Sequence, residues 1–87
     1  MGGGEFQIFR TDAGMIHVGF GCEARGSESV PEPKTRGMWS VRVQRWPSFG
    51  LRSIFAKRGL DEAEARGLYE AQCAIYQAQG VPYDPRA

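Results

Sequence analysis

Histidine and cysteine are scarce in this chain: His17 is the one histidine, and Cys22 and Cys73 are the two cysteines. A structural zinc site takes closely spaced nitrogen and sulfur ligands. No Cys-x-x-Cys or His-x-x-x-His pair occurs here, so neither a metal nor another cofactor is expected. Asp12, His17 and Cys22 fall at even intervals, a spacing that invites a Cys–His nucleophile. Strand residues five apart point to opposite faces, so the three do not converge and the chain reads as a non-enzyme. Gly19-Phe20-Gly21 has no following helix and no GK[ST], which excludes a phosphate loop.

Long apolar runs are missing too. The longest uncharged stretch, Ala71–Tyr83, is interrupted by Gly80 and Pro82, whereas a membrane-spanning helix takes about 18 apolar residues or more. No membrane partner is expected. Met1–Glu5 shows neither a basic nor an apolar region, so no secretory signal is predicted. Two reduced thiols in a cytoplasmic protein are the corresponding expectation, with a Cys22–Cys73 disulfide the alternative.

What is present suits one small domain: 87 residues, 41% hydrophobic and 24% charged, close to ordinary globular usage. Phe6–Arg10 and Met15–Phe20 read as strands around a Thr11–Gly14 turn, a β-hairpin over residues 5–20. In the second strand Ile16, Val18 and Phe20 face the core, and Met15, His17 and Gly19 face away. Residues 21–37, rich in Gly, Ser, Pro and charge, read as a long mobile loop. Trp39, Val41 and Val43 share one face of a strand, and a Trp46–Gly50 turn returns the chain through Leu51–Lys57, a second hairpin over 38–57. Residues 61–80 read as a helix. Asp61 and Glu64 form a capping box, and Ala65, Leu68, Tyr69, Gln72, Ile75 and Tyr76 line its apolar face. Residues 81–87 read as a tail. The expected fold is α+β: an antiparallel sheet of three to four strands in the order ββ-loop-ββ-α, packed against one C-terminal helix, with the other sheet face open.

Charge is unevenly placed. Lys34, Arg36, Arg42, Arg45, Arg52, Lys57 and Arg58 occupy residues 34–58 without a single acid, although net charge is only +1. Arginine predominates among them, and its planar fork suits phosphate and base edges. Trp39, Trp46, Phe49 and Phe55 are interleaved. Arginine supplies charge for a nucleic-acid backbone and flat rings stack on bases. The expected working surface is therefore Arg42, Arg45, Arg52, Lys57 and Arg58, with Trp46 as a stacking or wedge contact. It would bind nucleic acid or a nucleoprotein complex by occupation alone, as a monomer or an edge-paired dimer.

The stretch Gly37-Met38-Trp39-Ser40-Val41-Arg42-Val43, a returning strand, and Asp61-Glu62-Ala63-Glu64-Ala65 together resemble the arm-type DNA-binding domain of phage tyrosine integrases. The resemblance spans about residues 37–80. It implies a three-stranded sheet backed by a helix, a sheet that enters the DNA major groove, and Arg42 and Arg52 as DNA contacts. A protein of this size also fits another class: a small inhibitor from a mobile element that blocks a host protein complex, with the same basic hairpin on an acidic surface or with its acidic ends in a nucleic-acid channel.

Overall fold

The computed structural model describes residues 4–23, 34–45 and 53–84. Five strands and one helix follow in the order β1 (Gly4–Thr11), β2 (Gly14–Cys22), β3 (Trp39–Arg45), β4 (Phe55–Leu60), α1 (Glu62–Gln77) and β5 (Gly80–Tyr83). All neighbours are antiparallel, and the sheet order is β4-β3-β2-β1-β5. The expected α+β fold is found, with one strand more than the sequence suggested.

The β1–β2 turn is built by Thr11. Its hydroxyl donates to the Gly14 carbonyl at 2.7 Å and accepts the Ala13 N–H at 3.1 Å, and Gly14 takes φ +109°. Opposite residues of an antiparallel pair share a face. The pairs Phe9–Ile16, Val18–Val43, Phe20–Val41 and Cys22–Trp39 therefore define one apolar face, and α1 covers it. Ala65, Tyr69 and Cys73, one turn apart, are the buried helix residues. Tyr69 packs on Phe20 with ring centroids 4.8 Å apart, and Phe20 on Trp39 at 5.9 Å. The helix face is thus rotated from the expected one: Cys73 is in the core and Ile75 is 45% exposed. A Cβ on Gly67 would meet nothing within 4 Å, so this glycine serves no close approach to the sheet.

β4 departs most from the simple alternation. Val41 pairs with Lys57, but Trp39 pairs with Leu60, so β4 holds one extra residue. Gly59 takes φ +74° inside this bulge, a conformation that favours glycine. The extra residue returns Leu60 to the helix face, where it is buried. Leu60 therefore ends a strand, and Asp61 alone joins β4 to α1. Its N–H donates to Glu64 Oε1 at 3.0 Å within the expected capping box.

Part of the loop expected to be mobile is ordered, and part of the expected tail is a strand. Lys34–Gly37, at the end of the expected loop, form a turn docked on the helix start. Gly37 N–H donates to Asp61 Oδ1 at 2.9 Å, Arg36 lies 3.8 Å from Asp61, and Thr35 is buried. Within the expected tail, Val81–Tyr83 belong to β5 and pair with β1. Gly80 is needed there, because a Cβ would sit 2.0 Å from the Arg10 carbonyl oxygen. Pro82 is tolerated on an edge strand. Residues 24–33 of the loop, the Trp46–Gly50 turn with Leu51 and Arg52, and residues 85–87 lie outside the described residues.

Candidate functional site

The face turned away from α1 is fixed by the same register. It carries Gly4, Phe6, Ile8 and Arg10 on β1, Met15, His17, Gly19 and Gly21 on β2, Ser40, Arg42 and Gln44 on β3, Ala56 on β4, and Val81 and Tyr83 on β5. None of these strand residues is acidic. Phe6 is 47% exposed and stacks on His17, with centroids 5.1 Å apart and planes 19° apart. The Arg10 guanidinium lies 5.4 Å from the centre of the Tyr83 ring.

Between Phe6 and Arg42 the face sinks into an open groove of about 440 Å³. The depression exists because Gly4, Gly19 and Gly21 present no side chains. Gly4 pairs with Gly21, and Phe6 with Gly19. A Cβ on Gly19 would press on His17 at 3.0 Å and Phe6 at 3.3 Å. Arg42 stands opposite Gly19, and Glu23 lines the far end. Arg58 donates from Nε and Nη2 to Glu23 Oε1 at 3.0 and 2.6 Å. The hydrogen bond from Arg58, aided by the charges of Arg58 and Arg42, holds the Glu23 carboxyl below the usual carboxylate range. This pair is exposed, so it orients the side chains more than it stabilises the fold.

The structure sorts the expected site residues. Arg42 is on the open face, and Arg58 joins it through Glu23. Arg45 pairs with Ile16 and Lys57 with Val41, which puts both on the helix side at the sheet's margin. The basic block is contiguous in sequence but does not form one surface, because alternate strand residues diverge. Trp46 and Arg52 lie outside the described residues, and Arg42 faces Ala56 across the β3–β4 pair. Arg10, Phe6, His17 and Tyr83 were missed. The alternation that turns His17 away from the core was the signal that could have found the first hairpin's share.

Asp12, His17 and Cys22 do not meet: Asp12 is in the turn, His17 on the open face and Cys22 on the helix side. Cys22 and Cys73 are not joined in a disulfide. Burial pushes the Cys73 thiol and the Tyr69 hydroxyl up, so both stay protonated in the core. Among the described residues no cluster of three or more His, Cys, Asp or Glu side chains could hold a metal. No described helix is long and apolar enough to cross a membrane.

Burial lowers the His17 pKa from 6.5. Its Nδ1 is buried with no hydrogen-bond partner among the described residues. The unfolded chain therefore binds this proton first as pH falls. The neutral imidazole's contribution to stability is complete above pH 6.5 and declines as pH drops toward the lowered folded value. Urea unfolding midpoints from pH 7.5 to 5 should fall for the wild type, and His17→Phe should flatten that part of the profile. An unchanged slope in the variant would assign it to other groups.

Compared with family models, curated proteins and solved structures, the chain matches none.

Proposed function

We propose that the open face of the sheet binds single-stranded nucleic acid by occupation, without turnover. The observation that carries this reading is the joint placement of Arg10, Arg42 and Arg58 with Phe6, His17 and Tyr83 on the face that the helix leaves uncovered. Arginine forks bind phosphates, while exposed rings give bases a surface on which to stack. Phe6 and His17 stack together on the β1–β2 hairpin and Tyr83 follows on β5, so the rings lie along the sheet surface and do not project from a hairpin tip. That placement favours a splayed single strand over a ribbon inserted into a duplex groove.

Fluorescence anisotropy with labelled single-stranded and duplex oligonucleotides at about 50 and 200 mM salt tests the proposal. A single strand neutralised at three phosphates has a log–log salt slope of about −2, so affinity should fall about 20-fold across that range. Single strands should bind more tightly than duplex of the same sequence. Absence of binding at low salt, or binding indifferent to salt, overturns the reading.

A further inference from the structure

We propose that the groove beside Phe6 is a seat for one guanine base. The inference rests on the reading of the open face as a nucleic-acid surface and adds a base preference to it. His17, on β2, flanks Phe6 from the Ile8 side, since Ile8 pairs with His17. The Gly4–Gly21 pair lies on the other side. Beside Phe6 the Gly4–Gly21 pair presents backbone alone, so a flat ring can lie there next to Phe6 with Ser40 at its edge.

The two ends of the floor carry opposite charge. Arg42 stands opposite Gly19 and Glu23 follows Gly21 by two residues. At about 3.3 Å per residue, their anchoring points are roughly 13 Å apart along the sheet, a span that a purine and two side chains fill. Guanine alone among the common bases pairs acceptors at O6 and N7 with donors at N1 and N2. Arginine recognises the O6/N7 edge, and a carboxylate accepts from N1–H and N2–H. Both Arg58 donors go to Glu23 Oε1, so Arg58 fixes the carboxylate while using one of its oxygens. Adenine keeps the N7 acceptor but turns its amino group to Arg42 in place of O6, and its N1 lone pair meets Glu23. Cytosine repeats that mismatch, and thymine offers a single N–H.

The test uses anisotropy with labelled thymidine heptamers whose central position is guanine, adenine, cytosine or hypoxanthine, beside NMR titration with free GMP and AMP. The guanine heptamer should bind about 10-fold more tightly than the adenine one. Hypoxanthine, which lacks the N2 amino group, should fall between them. Glu23→Gln should bring guanine and hypoxanthine within about twofold of one another, with adenine still the weaker because Arg42 keeps the O6/N7 edge. Glu23 is exposed, and unchanged melting of the variant would exclude misfolding as the cause. Equal affinity for all heptamers in the wild type overturns the guanine seat but leaves the nucleic-acid surface standing. GMP shifting Phe6 and Gly21 resonances while no heptamer binds supports the seat for a free nucleotide and removes the strand-binding reading. No binding of heptamers or GMP overturns both.

Discussion

Trp39→Ala is expected to cost about 3–5 kcal/mol of folding stability, the range for truncating a buried large aromatic. Trp39 is 2% exposed, pairs with Cys22 and Leu60, and packs against Phe20. It thus joins the central strands to the bulged edge strand beneath the helix. A domain of this length holds roughly 4–13 kcal/mol in total, so the variant should be near its limit, with a melting temperature lower by about 15–30 °C. Trp39→Phe should cost less than half as much. It keeps most of the ring, and it removes an indole N–H that has no hydrogen-bond partner among the described residues. A buried donor left unpaired carries its own penalty, which phenylalanine does not. Urea unfolding followed by far-UV circular dichroism measures both. A cost below about 1 kcal/mol for Trp39→Ala would remove Trp39 from the core.

The parts of the fold legible in the sequence are those where the period stays regular. Ile16-x-Val18-x-Phe20 and Trp39-x-Val41-x-Val43 alternate without interruption, and these strands pair at the centre of the sheet with the faces their spacing implies. β4 was misplaced because its bulge breaks the period: Lys57 and Leu60 share a face although they are three positions apart. β5 was hidden because Gly80 and Pro82 are signals of chain breaks. Here one permits close approach to β1 and the other suits an edge. The capping box at Asp61 was legible because its partners are three residues apart. The docking of Gly37 on the same carboxylate was not, since it joins residues distant in sequence.

The site was legible by composition but not by direction. Charge counting singled out residues 34–58, yet a strand sends Arg42 and Val43 to opposite sides. Only pairing shows which cations share a face with Phe6 and His17. The glycine floor is still less visible in one dimension. Gly4 and Gly21 become neighbours through strand register, and a glycine's contribution is the side chain that is missing. Arg10 and Tyr83 meet because β5 returns to β1, so their contact depends on the one strand that the sequence conceals.

Reversing the charge of Arg10 and Arg42 together, as Arg10→Glu/Arg42→Glu, is expected to weaken single-strand binding at about 50 mM salt by 100-fold or more. Removing one charge-assisted hydrogen bond costs about 1.5–3 kcal/mol, and removing two amounts to at least about two powers of ten in affinity. The comparison that gives the result meaning is Arg45→Glu/Lys57→Glu. Those residues belong to the basic segment but stand on the helix side. Both double variants carry the same change in net charge, from +1 to −3, so the field of the whole molecule is altered alike. The second variant should weaken binding less than about fivefold, through long-range attraction alone. Melting curves should show both folded, because all four side chains are exposed. Equal weakening would mean that binding follows net charge and not the open face. A larger effect from Arg45 and Lys57 would move the working surface to the β3–β4 margin. The asymmetric outcome alone ties recognition to the face where arginine and rings stand together.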